Sequence, residues 1–247
     1  GKKVLMGGDK MIATTADNTI YYFEKNSDGT WPTTETMKIA PMNPADDVSS
    51  NRFGESLAMD GSSIVVGAPG MDGSGGVFVY NIDDISNNNL TIEYELHPQD
   101  ASGITEFGKK VAIDNGNIIV LGDSGTVKVI YSFTQNLDNS WPTVETKKSI
   151  YNTVLGSKFG ESLDADNGVL AIGDSTVDND KGAAYIFELS GNEYVEKVKL
   201  QGSDTSVDSE FGKKLTLNNG ELFAMSTSGK TYKFTQNGNG SWPVTET

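Results

Sequence analysis

The sequence contains no cysteine and a single histidine, His97, among 247 residues. The first absence excludes disulfides and thiolate-bound metals, so packing and backbone hydrogen bonding must hold the fold together. The second leaves catalysis little to work with: no Ser/His/Asp or metal-hydrolase spacing surrounds His97, and no enzyme is expected. Positive charge is also scarce, with 19 Lys and Arg against 34 Asp and Glu and a formal net charge of −15. Such a field repels phosphate backbones and anionic lipid headgroups, which argues against a nucleic-acid partner. No apolar run approaches the roughly 18 residues of a membrane span, and Gly1 opens the chain without a signal-peptide pattern. No direct membrane insertion is expected, and the chain reads as soluble. No segment sustains apolar spacing at 3.6 residues, so helix should be nearly absent.

What the sequence has is repetition. Phe53-Gly54-Glu55-Ser56-Leu57, Phe107-Gly108-Lys109-Lys110-Val111, Phe159-Gly160-Glu161-Ser162-Leu163 and Phe211-Gly212-Lys213-Lys214-Leu215 recur at steps of 54, 52 and 52 residues. Gly1-Lys2-Lys3-Val4 is a fifth copy without its Phe. A period this long marks an array of similar units, taken here as one domain with repeats at 1–52, 53–106, 107–158, 159–210 and 211–247. Within a repeat, Ser56–Met59, Ile64–Val66 and Val77–Tyr80 read as strands. Asp60-Gly61, Asn115-Gly116, Asn167-Gly168 and Asn219-Gly220 supply tight turns, because these pairs tolerate the positive φ of a two-residue hairpin. Leu90, Ile92, Tyr94 and Leu96 alternate with polar residues as a fourth strand, and Val195, Val198 and Leu200 place a weaker copy in the fourth repeat.

Four-stranded units of this length pack radially as propeller blades, since one small sheet cannot bury both faces alone. The expected fold is therefore an all-β propeller of four-stranded antiparallel blades, with five blades predicted and an open β solenoid as the alternative. The last repeat stops at Thr247, the counterpart of Thr36, so its outermost strand is expected to be truncated or replaced. The chain reads as an excised piece of a longer protein, in which six or seven blades are the alternative.

The stretch Phe53-Gly54-Glu55-Ser56-Leu57-Ala58-Met59-Asp60-Gly61, followed by Ile64-Val65-Val66-Gly67-Ala68-Pro69-Gly70, closely resembles the FG-GAP repeat carried by integrin α-subunit propellers and by bacterial and algal surface proteins. The resemblance implies a propeller and an extracellular or cell-surface location. The other repeats keep Phe-Gly and the hairpin but lose Gly-Ala-Pro. Calcium-binding members of the family carry an Asp-x-Asp-x-Asp-Gly type loop between the first two strands. Here that loop shrinks to Asp60-Gly61-Ser62-Ser63, Asp114-Asn115-Gly116-Asn117 or Asp166-Asn167-Gly168, far short of the 6 to 8 oxygens calcium takes. The family's calcium sites are not carried over, and no cofactor is expected.

Odd and even repeats differ. The odd ones carry Lys-Lys after the Gly and contain Trp31-Pro32, Trp141-Pro142 and Trp242-Pro243; the even ones carry Glu-Ser and no Trp. Lys3, Lys110 and Lys214 would then neighbour Glu55 and Glu161 of adjacent blades, either as plain charge balance or as blade registry. The even repeats also have long connections between their second and third strands, Gly67 to Gly75 and Gly173 to Gly182. These place Asp72, Asp174, Asp178 and Asp180 on the face that receives Asp46, Asp47, Asp100, Asp204 and Asp208. Extra loop length with clustered carboxylates marks this as the expected ligand-binding face. Asp178-Asn179-Asp180 is the best metal fragment for calcium or another cation, against the plainer reading of a solvated acidic surface. The Trp-Pro pairs lie toward the opposite face, where Trp31, Trp141 and Trp242 would either stack on sugars or cover the edges of their blades.

The function expected from these features is non-catalytic recognition or adhesion of a protein or glycan ligand through an acidic face. The alternative is a building block of a surface filament or other assembly, whose partners are copies of itself. Two sequons, Asn89-Leu90-Thr91 and Asn239-Gly240-Ser241, are compatible with secretion.

Overall fold

A computed structural model describes residues 3–15, 19–39, 51–84, 93–124, 127–152, 156–191 and 193–247. Among these residues the chain forms five successive antiparallel meanders. The first holds β1 (Lys3–Gly7), β2 (Lys10–Thr14), β3 (Ile20–Glu24) and β4 (Met37–Ile39). The second holds β5 (Ser56–Asp60), β6 (Ser63–Ala68), β7 (Gly76–Asn81) and β8 (Tyr94–Leu96). The third holds β9 (Val111–Asp114), β10 (Asn117–Asp123), β11 (Val127–Thr134) and β12 (Lys147–Asn152). The fourth holds β13 (Ser162–Asp166), β14 (Val169–Asp174), β15 (Ala183–Ser190) and β16 (Glu193–Leu200). The fifth has three strands, β17 (Lys214–Asn218), β18 (Glu221–Met225) and β19 (Thr231–Thr235). Among the described residues helix is confined to single turns, and none is long and apolar enough to cross a membrane. The fold is the five-bladed all-β propeller that the repeats predict.

The chain divides into two compact units. One comprises Gly1–Ile113, Ile118–Gly122 and Phe133–Glu145, and the other Asp114–Asn117, Asp123–Ser132 and Thr146–Thr247. In the first, Ile12, Ile20, Tyr22 and Ile39 of one blade pack with Phe53, Ile64, Val66 and Tyr80 of the next. In the second, Ala184, Ile186 and Leu200 pack with Phe211, Leu222, Ala224 and Phe234. Alternation delivers these residues to one face of each strand, and each blade covers a face its neighbour could not bury alone.

The first two strands of each blade are joined by two-residue turns whose first residue has positive φ: Gly8, Gly61, Asn115, Asn167 and Asn219. In the second blade the turn is Gly61-Ser62, because Asp60 still pairs with Ser63 as the last residue of β5. The weak alternation of the fourth repeat also has a physical cause. A bulge shifts the register of β15 and β16 between Ile186 and Phe187, so Val198 and Glu196 face successive partners and Lys197 is the extra residue. Leu90 and Ile92 lie outside the described residues.

The Phe-Gly phrase is a blade anchor. Phe53, Phe107, Phe159 and Phe211 are all buried, and each meets an aromatic ring of its blade's third strand: Phe78, Phe133, Phe187 and Phe234. Burying one such side chain contributes about 1.5–3 kcal/mol. The glycine that follows has φ between 78° and 89° in all four copies. At Gly108 and Gly212 a Cβ would also run into the Gly76 and Ala183 carbonyl oxygens. Only glycine meets both demands.

Charges at the blade entries alternate in sign. Arg52 grips Glu55 through two hydrogen bonds of 2.5 and 2.7 Å and reaches Glu106 of the next entry at 3.1 Å. Glu106 is in turn held by Lys109 at 2.5 Å. In the other unit Glu210 binds Lys213 at 2.6 Å and lies 3.8 Å from Lys158 of the preceding entry. Burial pushes the Glu106 carboxyl up, but Lys109 and Arg52 together hold it below its ordinary range; Lys213 does the same for Glu210. The registry therefore runs through the residue before Phe and the first Lys after Gly. Lys3 donates its ammonium to the Glu55 backbone carbonyl.

Candidate functional site

The long loops of the even blades carry four of the nine carboxylates expected to form a ligand face, and two of these four, Asp174 and Asp178, are already engaged. Asp174 is buried, with Oδ1 accepting from the Thr176 amide at 2.9 Å and its hydroxyl at 2.6 Å, and Oδ2 accepting from Ser157 at 2.6 Å. Asp178 Oδ2 takes Lys199 at 2.6 Å and Gln201 at 2.9 Å, and the Lys199 hydrogen bond lowers its pKa. Asp204 is bound by Lys230 and by the Tyr232 hydroxyl at 2.7 Å, again with a lowered pKa. Asp100 caps its own turn through the Ser102 amide at 3.0 Å. Asp72, Asp180 and Asp208 sit at positive φ in their loops, where their backbone shapes the turn. Asp46 and Asp47 lie outside the described residues. Among the described residues no three His, Asp or Glu side chains are grouped to hold a metal ion, and Asp178 and Asp180 lack a third partner of that kind.

Why these loops are long is visible in their backbone. In the first unit Gly75 forms a parallel bridge with Phe107, and the Phe107 amide donates to the Ser74 carbonyl at 2.9 Å. In the second, Gly182 bridges Phe211 in the same way, with the Glu210 and Phe211 amides donating to Asp180 at 2.8 Å and Lys181 at 2.9 Å. The loop reaches across to seize the next Phe-Gly entry. The Ser of Glu-Ser adds a second grip: Ser56 Oγ donates to the Gly108 carbonyl at 2.5 Å and Ser162 Oγ to the Gly212 carbonyl at 2.6 Å. A third grip comes back from the odd blade, where Glu145 accepts the Gln99 amide at 2.9 Å and Glu246 accepts the Ser203 amide at 3.1 Å. Long loop, Glu-Ser and the glutamate after Trp-Pro are thus parts of one latch.

The opposite end of the strands is built differently. Three odd-blade loops repeat one hydrogen-bonded design, Asn26–Trp31, Asn136–Trp141 and Asn237–Trp242. In each, the first Asn amide donates to the Thr or Ser carbonyl, and the side chain two residues before that Thr or Ser caps its amide and hydroxyl. Trp141 and Trp242 are buried, while half-buried Trp31 receives Lys25 over its ring at 5.3 Å. Trp242 packs into the apolar cluster of the second unit. Asn239 is exposed but holds its Oδ1 on Ser241, and Asn89 lies outside the described residues.

In the first unit one of these loops borders a cleft of 490 Å³. Its walls are the turn Asp60–Ser63, then Asn81, Asp83, Glu93 and Tyr94, and finally Gln135 with Asp138–Trp141. The lining mixes carboxylates, amides and hydroxyls with two aromatic rings. The sister loops give the signal that points here. At the position where they have Gly29 and Gly240, this loop has Asn139, held at φ 66°.

Residues 34–80 match the family model of the FG-GAP repeat, which spans β4 and the first three strands of the second blade. No curated protein sequence matches the chain. Among solved structures it is similar to a candidate 6-phosphogluconolactonase of Bacteroides uniformis, at TM-score 0.61 and 13% identity, covering 94% of this chain and 65% of that one. It is also similar to the Cps50 (Swd1) β-propeller domain of Myceliophteria thermophila, at TM-score 0.57 and 10% identity, covering 97% and 69%. The computationally designed Ika8 protein aligns at TM-score 0.55 and 11% identity, covering 95% of this chain and 57% of its own. At these identities the likenesses concern the fold alone.

Proposed function

We propose that this FG-GAP β-propeller is a non-catalytic extracellular recognition or adhesion module for a protein or glycan ligand. The observation that carries the reading is the 490 Å³ cleft of the first unit, a concavity lined by polar side chains and two aromatic rings on a scaffold of short, tightly bonded turns. The FG-GAP repeat match supports a binding role over a catalytic one. The acidic loop face contributes less than its composition suggests, since Asp174, Asp178 and Asp204 spend their carboxylates on internal partners.

The test is a binding survey of the purified chain against arrayed extracellular proteins and glycans, paired with sizing in the presence and absence of EDTA. Saturable binding by a monomer is expected. Discrete oligomers or fibres with no ligand on either array would replace recognition with assembly.

A further inference from the structure

We propose that the cleft of the first unit is a saccharide-binding site. This rests on the recognition reading and names the ligand class for its cleft. The repeats provide the comparison that isolates it, because two of its residues depart from their sister copies in opposite structural senses.

The first is Asp60. Its counterparts in the third and fourth blades, Asp114 and Asp166, spend their carboxylates inside the second unit on turn amides, Gly168 at 2.8 Å and Asn219 at 2.6 Å. Asp60 is exposed at the cleft and has no side-chain partner among the described residues. The second is Asn139. The same position in the two sister loops is glycine, at φ 81° and 83°, and Asn139 adopts φ 66° with a side chain attached. Left-handed backbone costs a residue with a Cβ roughly 1–2 kcal/mol, although Asn tolerates it better than most. The fold works with glycine here, so it does not need the amide that lines this cleft.

The loop also presents Asn139 preorganised. Gln135 Nε2 donates to its carbonyl at 2.9 Å, and Asp138 Oδ1 fixes the following Ser140 through bonds of 3.0 and 2.6 Å. Little ordering entropy remains to be lost on binding. Chemically, Asp60 accepts only, while the Asn139 amide donates and accepts, and the Ser63 and Tyr94 hydroxyls do both. Sugar hydroxyls need that mixture, whereas a purely cationic ligand would need only acceptors. The half-buried Tyr94 ring and the edge of buried Trp141 add an apolar wall against which a sugar's C–H face can rest.

The test is a glycan array probed with the native chain, Asp60→Asn and Asn139→Gly, followed by calorimetric titration of the strongest oligosaccharide. Both variants are expected to fold, the first by isosterism and the second because it restores the sister loops' residue; coincident melting curves check this. Each should weaken saccharide binding at least tenfold. No saturable saccharide binding, or binding unchanged in both variants, overturns the proposal. A protein-array arm separates the two readings: protein binding without saccharide binding leaves recognition standing and removes the sugar, and silence on both arms removes both.

Discussion

Replacing Gly182 by Ala tests whether the long even-blade loops are latches. The residue sits at φ 81°, and an added Cβ would overlap the Phe211 carbonyl oxygen. Left-handed backbone alone costs roughly 1–2 kcal/mol with a Cβ present. Relieving the overlap means parting the loop from the blade entry, which gives up the 2.8 and 2.9 Å hydrogen bonds from Glu210 and Phe211. At about 1 kcal/mol each these add about 2 kcal/mol, so the whole loss is about 3–4 kcal/mol. Gly168→Ala is the control. Gly168 has a similar φ of 78° with nothing near the position of a Cβ, and its amide bond to Asp114 survives the change. It should lose only the conformational term, about 1–2 kcal/mol. Both variants also stiffen the unfolded chain equally, so that contribution cancels in the comparison. Urea unfolding followed by tryptophan fluorescence reads the difference: with a slope of about 3 kcal/mol per molar, Gly182→Ala should lower the midpoint by about 1 M and the control by about half as much or less. Equal shifts for the two variants would refute the latch.

Three further outcomes follow from the same geometry. Ser56→Ala and Ser162→Ala each remove a buried donor and strand the Gly108 or Gly212 carbonyl; each should cost about 1–3 kcal/mol in urea unfolding, and additive costs in the double variant would show two independent latches. Burial, reinforced by Asp166 and Asp114, raises the Asp164 pKa against two opposing amide bonds. A raised carboxyl contributes stability that is full below its unfolded pKa and lost as pH rises through its folded pKa, so the midpoint of Asp164→Asn relative to the native chain should climb with pH across the carboxylate range, and a flat difference would contradict this. Calorimetric titration with calcium should give no heat, because Lys199 and Gln201 occupy the Asp178 carboxylate; heat abolished by Asp178→Ala and Asp180→Ala would restore the metal reading.

The fold was legible because its determinants are local and repeated. A two-residue Asn-Gly turn and a Phe-Gly entry each impose backbone geometry on their own few residues, and every copy adopts it. The Trp rings could be placed on the correct loops for the same reason. The partners of the loop carboxylates were not legible, because composition records charge but not what it pairs with. Lys199 and Gln201 lie 21 and 23 residues from Asp178, and Lys230 lies 26 from Asp204, on or next to strands whose register fixes the pairing only once the sheet exists. Charge alternation at the blade entries extends to Arg52, Glu106, Lys158 and Glu210, the residues that precede each Phe.

Repetition itself bears on where function can reside in a repeat protein. A feature shared by both even blades must satisfy the same junction twice, and the long loops do so with the same Gly-to-Phe bridge, the same serine and the same returning glutamate. Periodic individuality of that kind is explained by assembly of the fold. Ligand chemistry that is not periodic is better sought where one copy breaks a rule its sisters keep, since the scaffold demonstrably stands without the exception. Asp60 and Asn139 both break such rules, in opposite senses, and both line the same cleft. The acidic loops hold the blades in register, which leaves the cleft free to vary.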